Sequence, residues 1–284
     1  MTTSPFHLPQ SVDAAIAALT GDAVLVAGAT WVMRANLRDE SNDRVLVSLS
    51  RIAELSEVQH DENVLRIGSL VTHDGLGAAL TGLAEMGALA QAAAMSANPA
   101  IRRVATLGGN ICAQGFAAPD LVPALIALNA TVEVRSKVGA ETLDIEDYLL
   151  ARPTRPSDEI LTGIQVTRQS GWSAHARGLL RQAGEYPVAN VSAFIDADDG
   201  GTINSARIAV GAVEPVPRRW QSLENALVGQ PIDAVCLGNI ALDHLGDFTP
   251  RDGVDSPGKY RLRILPRLAE HVFADIAKQM QEGT

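Results

Sequence analysis

Apolar residues in this chain fall into short runs and helical repeats that alternate along its length. Val12, Ile16 and Leu19 recur at helical spacing after Pro9 and a candidate cap, Ser11. Ala23 to Ala27 is a short apolar strand ended by Gly28, followed by a helical stretch, Trp31 to Leu37, and a second strand, Val45 to Leu49. The first fifty or so residues thus predict a small parallel β-turn-helix-β unit. Val64 to Ser69 reads as a strand, Gly82 to Ala97 as an alanine-rich helix ending near Asn98-Pro99, and Asp120 to Leu128 as a helix. Thr131 to Arg135, Thr142 to Ile145 and Ile160 to Thr167 read as further strands.

Arg152 to Asp158 carries two prolines and Ser170 to Ala176 is small and polar, which places a domain boundary near residues 168–177. Beyond it, Val188 to Ala197 and Ile203 to Val213 form two strands joined by Asp198-Asp199-Gly200-Gly201, a strong hairpin signal. The remainder is helical. Its last helix carries Leu265, Leu268, Val272 and Ile276 on one face and is expected to hold Pro266 in its first turn.

Composition narrows the function. The 284 residues are 46% hydrophobic and 20% charged, enough for one or two ordinary cores and too apolar for disorder. A net charge of −10 argues against a nucleic-acid surface. The N-terminus, Met1 to Gln10, shows neither a basic nor an apolar leader segment, and the best apolar run, Leu121 to Leu128, is far short of a membrane span. The expectation is a cytoplasmic protein. Two cysteines, Cys112 and Cys236, cannot supply the four thiolates of an iron–sulfur cluster or a zinc ribbon. The six histidines are scattered and read as surface or packing residues, and no hydrolase or metal-ligand spacing appears. No metal site and no catalytic residue of the chain's own is expected.

Two glycine-bearing turns remain as candidate chemistry, Ala27-Gly28-Ala29-Thr30-Trp31 and Thr106-Leu107-Gly108-Gly109-Asn110. Neither matches a dinucleotide fingerprint or a P-loop. Glycine turns still let successive amides close on an anion, and two converging turns suit a pyrophosphate. From local sequence alone each reads more readily as a tight turn between elements, where glycine is the default residue. Asp120 reads either as an acceptor for ligand hydroxyls or as a helix N-cap.

The order AGATW, ANPAIR (Ala97 to Arg102), ATLGGN (Ala105 to Asn110) and APDLVPALIALNATVEV (Ala118 to Val134) resembles the FAD-binding medium subunit of the molybdenum hydroxylases, the family of xanthine dehydrogenase and carbon monoxide dehydrogenase. The resemblance continues through DEILTGIQV (Asp158 to Val166), RQAGEYPVANVSAFI (Arg181 to Ile195) and ARIAVGAVEPVPRR (Ala206 to Arg219), nearly the whole chain.

The resemblance implies an α+β fold of the vanillyl-alcohol-oxidase (PCMH) type. Residues 1–175 would form the FAD-binding domain, with subdomains at about 1–56 and 57–175, and residues 176–284 a C-terminal domain with a small antiparallel sheet and helices. It implies that Gly28, Ala29 and Thr30, with Thr106, Gly108, Gly109 and Asn110, hold the FAD pyrophosphate, and that Ala27, Trp31 and Leu107 belong to the same cofactor-binding segments, Trp31 shielding the pyrophosphate or packing beneath the loop. It also implies that Asp120 lies near the ribityl and sugar hydroxyls, that Leu161 contacts the cofactor, and that Tyr186 lies near the isoalloxazine ring, although Tyr186 reads equally as a packed turn residue before Pro187.

The partners implied are a large subunit with a molybdopterin-type molybdenum cofactor and a small subunit with two [2Fe–2S] clusters, assembled as a dimer of heterotrimers. Electrons would pass from the clusters through FAD to an external acceptor. A free-standing flavin oxidoreductase and a docking subunit with a decayed flavin site are the alternatives. Substrate and acceptor stay open. The chain departs from the family pattern at Ala29 and Trp31. Alanine tolerates positive φ poorly, so residue 29 must use negative φ or carry strain.

Overall fold

A computed structural model of the chain describes residues 6–40, 44–180, 185–253 and 255–282. The readings that include residues 1–5 and 181–184 lie, for those residues, outside the described part. Among the described residues the strands form three sheets. Helices are α1 (Val12–Ala18), α2 (His73–Ala79), α3 (Gly87–Met95), α4 (Pro99–Arg102), α5 (Leu107–Cys112), α6 (Leu121–Ala127), α7 (Ile145–Ala151), α8 (Gln221–Leu227), α9 (Ala234–Asp243) and α10 (Gly258–Glu282). The elements pack as two compact units that interleave along the chain.

The first unit comprises described residues of 1–75, 99–113 and 130–167. Strands β1 (Phe6–His7), β2 (Val24–Val26) and β3 (Leu46–Ser48) form a parallel sheet in the order β1-β3-β2. The parallel pair β2–β3 is the one the apolar runs predict. The two-residue β1 is too short to carry a pattern of its own. Ser11 caps α1 by accepting from the Ala14 amide at 3.2 Å, and α1 buries Val12, Ala15 and Ile16 in a core with Val47, Leu49, Leu55 and Ile160. A second sheet runs β4-β5-β8-β6-β7, from β4 (Val58–His60), β5 (Val64–Gly68), β6 (Thr131–Ser136), β7 (Gly139–Asp144) and β8 (Ile160–Thr167). Residue Ile145, read as the end of a strand, instead starts α7, with Glu146 and Asp147 favourably placed in its first turn.

The second unit comprises described residues of 76–98, 114–129 and 168–284. Its antiparallel sheet runs β12-β11-β10-β9, from β9 (Trp172–Gly178), β10 (Ala189–Ala197), β11 (Ile203–Gly211) and β12 (Arg218–Arg219). The hairpin is where the Asp-Asp-Gly-Gly signal puts it. The Asp198 carboxylate accepts from the amides of Gly200 and Thr202 at 2.9 and 2.8 Å, and Gly201 takes φ +79°. Strand β9 occupies the segment whose small polar residues suggested a boundary.

One face of this sheet, with Ala174, Val191, Ile195, Ile208 and Val210, shares a core with Trp220, Leu265, Val272, Phe273 and Ile276. Helix α10 begins eight residues before Pro266, not at it. Asp252 sets that start by accepting from the Gly258 amide at 2.7 Å. Pro266 therefore lies inside the helix, where it removes one amide donor.

Candidate cofactor site

In the first unit the two glycine segments come together. A Cβ built on Gly28 would lie 1.8 Å from the Val104 carbonyl oxygen and 3.2 Å from Ala105 Cα. Only a residue without a side chain lets the 27–31 turn rest on the backbone leading into Thr106. Ala29 adopts φ +61°, so of the two conformations open to it the chain takes the strained one. Its carbonyl accepts from Met33 at 2.9 Å, leading into a 3-10 helix, Val32–Arg38, where the helical stretch is expected. The Arg38 guanidinium lies 4.2 Å above the Trp31 ring and donates to the Trp31 carbonyl at 3.0 Å. Glu40 holds Arg38 from its other side at 2.7 and 2.8 Å. Trp31 thus packs under a clamped cation.

The positive φ turns successive amides toward one side of the turn. The N–H groups of Gly28, Ala29 and Thr30 have no acceptor among the described residues. This is the arrangement an anion needs.

The second segment differs from its sequence reading. It is the start of α5, capped by Thr106, whose hydroxyl accepts from Gly109 at 3.1 Å. The other amides are also engaged: Leu107 donates to the Val71 carbonyl at 2.9 Å, Gly108 to Ser69 at 2.8 Å and Asn110 to Thr106 at 3.0 Å. Gly108 is pressed against Ser69, whose Cβ lies 2.8 Å from the Cβ an alanine would add. His73 anchors the same segment through its amide to the Ala105 carbonyl at 2.9 Å. Burial, and secondarily Arg102, holds the His73 imidazole down at about 4 against the opposing effect of its hydrogen bond to the Thr106 backbone, so it is neutral near pH 7. The first turn offers amides, and the second is the rigid wall on which it rests. Leu161 is buried on β8, opposite Val134 of β6 at a bulge.

In the second unit, Asp120 stands at the N-cap position of α6 but makes no capping hydrogen bond. Its carboxylate instead lies 3.1 Å from Arg177 Nε, with both side chains buried. Burial pushes the Asp120 carboxyl up to about 6, with Arg177 and a hydrogen bond from Asn190 opposing that rise. Asn190 also donates to the Pro119 carbonyl at 3.3 Å. Tyr186 is half-exposed and meets Phe116 edge-on, ring centroids 5.0 Å apart. Arg177 and Asn190 escaped the sequence reading, although Ser173-Ala174-His175-Ala176-Arg177 alternates polar and small apolar residues as a strand does. Among the described residues no group of three His, Cys, Asp or Glu is placed to hold a metal ion, and no helix is long and apolar enough to cross a membrane.

The strain at Ala29 yields a test. Glycine adopts this conformation without the left-handed penalty of about 1–2 kcal/mol, and loses roughly 0.5–1 kcal/mol through its freer unfolded chain. Ala29→Gly is therefore expected to leave the thermal midpoint unchanged or raise it by a few degrees. A clear fall in a melting experiment would show that the turn does not hold positive φ.

Comparison with known proteins agrees with this architecture. Residues 2–168 match the FAD binding domain in molybdopterin dehydrogenase, and residues 175–276 the CO dehydrogenase flavoprotein C-terminal domain. The chain is 28% identical over 259 residues to the putative xanthine dehydrogenase FAD-binding subunit XdhB of Escherichia coli K12, covering 89% of this chain and 88% of that protein. It is 26% identical over 233 residues to the carbon monoxide dehydrogenase medium chain of Hydrogenophaga pseudoflava, covering 79% and 80%. Its fold is that of a chain in the crystal structure of quinoline 2-oxidoreductase from Pseudomonas putida 86, with a TM-score of 0.87, 22% identity and 98% of each chain covered. The α+β fold and the family resemblance read from the sequence are both borne out. The chain belongs to the family of FAD-binding domains of the molybdopterin dehydrogenases and is an FAD-binding oxidoreductase subunit of that family.

Proposed function

We propose that this chain binds one FAD and relays electrons within a molybdenum-dependent hydroxylase or dehydrogenase, from the [2Fe–2S] clusters of a partner subunit to an external acceptor. The observation that carries this reading is the turn at Gly28–Thr30, with three unengaged amides and positive φ at Ala29. Those amides take the FAD pyrophosphate, and the Thr106–Asn110 segment backs them. Asp120 accepts from cofactor hydroxyls, Tyr186 lies against the flavin ring, and Leu161 supplies an apolar contact. Along the chain, residues 1–175 serve as the FAD-binding domain, with subdomains at about 1–56 and 57–175, and residues 176–284 as the C-terminal domain.

Bound FAD supplies a centre that accepts electrons and releases them to a second partner. The protein's own groups bind and orient it. Two cysteines leave the clusters to another chain. The relatives called a medium chain and a FAD-binding subunit support partner subunits in general; the partners of this reading are a large molybdopterin-binding subunit and a small [2Fe–2S] subunit, in a cytoplasmic dimer of heterotrimers.

Affinity purification of the tagged chain from its source cells tests this. A larger molybdenum-containing subunit and a small cysteine-rich subunit should co-purify, and substrate oxidation should need all three. Oxidation of substrate by the lone chain at the rate of the complex would show a free-standing enzyme instead.

A further inference from the structure

The antiparallel sheet of the second unit has a polar face opposite its apolar one. Ser173, His175 and Arg177 of β9 alternate along it, and the register sets Asn190 beside Arg177 and Ser192 beside His175. These side chains are tied down. The Ser173 hydroxyl donates to the Glu85 carbonyl at 2.8 Å, and His175 Nδ1 lies 2.8 Å from the Ser192 hydroxyl.

Arg177 ends this row, with its side chain 3% exposed. Its three kinds of nitrogen reach three separate segments. Nε faces the Asp120 carboxylate at 3.1 Å, Nη1 donates to the Met95 carbonyl, and Nη2 donates to the Glu185 carbonyl at 2.6 Å. The contact to Asp120 is an ion pair without the alignment of a hydrogen bond, so Asp120 Oδ1 keeps its accepting capacity. A buried ion pair adds little stability compared with well-packed apolar residues. Its presence is better explained by what it positions.

We propose that Arg177 is a positioning residue of the FAD site, holding the Asp120 carboxylate ionised and in place for ligand hydroxyls and, through the Glu185 carbonyl, setting the backbone that carries Tyr186. This rests on the assignment of Asp120 and Tyr186 as FAD contacts.

The consequence appears in pH dependence. An ionised carboxylate accepts more strongly than a neutral one. FAD affinity is therefore full above the Asp120 midpoint, about 6, and falls as pH drops through it. Arg177 opposes the rise caused by burial, so its removal moves the midpoint upward, into the neutral range. The other ionisable groups on elements packed against α6 lie elsewhere. Helix α3 carries none. On β11, Arg207 binds the Ala127 carbonyl at the far end of α6, and on β12, Arg218 pairs with Glu214 and Arg219 with Glu224. Strand β10 has Asp196 six residues beyond Asn190. On β9, His175 is held neutral by burial first and by Arg177 second.

The test is FAD affinity of the full chain from about pH 5 to about pH 9 for the unaltered protein, Arg177→Met, Arg177→Lys, Asp120→Asn and the double variant Asp120→Asn/Arg177→Met. Arg177→Met should bind FAD roughly tenfold more weakly near pH 7, with its midpoint raised by about one unit or more. Asp120→Asn should show no midpoint in this range, and the double variant should bind more weakly than Asp120→Asn only by the loss that belongs to the Glu185 contact. Arg177→Lys should keep the midpoint near its original value while losing affinity through the Glu185 contact, which keeps the test decisive if the methionine variant fails to fold. An unmoved midpoint in Arg177→Met, losses that add in full in the double variant, or a lysine variant binding like the original protein would each overturn the positioning role alone. A chain that takes up no FAD at any pH would overturn the FAD assignment and this role with it.

Discussion

Gly28→Ala is expected to destabilise the protein by about 3 kcal/mol, near the upper end of what overpacking costs, and to abolish FAD retention. The added methyl would lie 1.8 Å from the Val104 carbonyl oxygen and 2.8 Å from its carbon. Both are backbone atoms, so no side-chain rotation relieves the overlap. The 27–31 turn must lift away from the segment leading into Thr106, and its three unengaged amides lose their arrangement. A thermal midpoint lowered by about 6–12 °C and a colourless protein are the outcomes to measure. Gly77→Ala is the matching control. Gly77 lies within α2 with nothing inside 4 Å of an added Cβ, so alanine there should gain roughly 0.5–1 kcal/mol. Equal behaviour of the two variants would show that the turn does not press on Val104.

Arg261→Met is expected to cost about 3–4 kcal/mol, judged from the buried acceptors it leaves unpaired. Arg261 is completely buried in α10 of the second unit. It donates to the carbonyls of Val188 at 2.7 Å, Ala212 at 3.2 Å and Arg251 at 3.2 Å, and to both Asp255 oxygens at 2.8 Å. Methionine fills much of the stem's volume but donates nothing. The ion pair itself contributes a small share, because Asp255 is 42% exposed and its charge is solvated. Asp255→Asn should accordingly cost far less than Arg261→Met, and comparable losses in chemical denaturation would contradict this division. Burial raises the Asp255 carboxyl, but hydrogen bonding with Arg261 and the nearby charges outweigh it, so it sits below its ordinary value. A depressed acid contributes stability above its unfolded pKa. The contribution fades as pH falls through the lower folded value, and the gap between Asp255→Asn and the original protein should close in acid.

How much of this could be read in the sequence depended on where each residue's partner lies. The β2–β3 pair and the β10–β11 hairpin carry their own signals, an apolar run ended by glycine and a loop of two aspartates and two glycines. Strand β9 is not legible as a strand because both of its faces look polar or small; Ser173, His175 and Arg177 are buried by contacts from Glu85, Ser192 and Asp120, distant in sequence. The glycines of Thr106–Asn110 suggested a turn, whereas Thr106 caps a helix there. Local pattern placed Asp120 as a cap, and its buried partner Arg177 takes the side chain instead. Pro266 reads as a first-turn residue, but Asp252 fixes the helix start earlier. The two glycine segments were visible in the sequence, but their contact and the different state of their amides are properties of the folded first unit.

The most direct measurement is the flavin content of the purified chain after denaturation. FAD bound through the Gly28–Thr30 amides predicts a yellow protein that releases about one FAD per chain. A colourless protein that takes up no FAD on reconstitution would contradict the account.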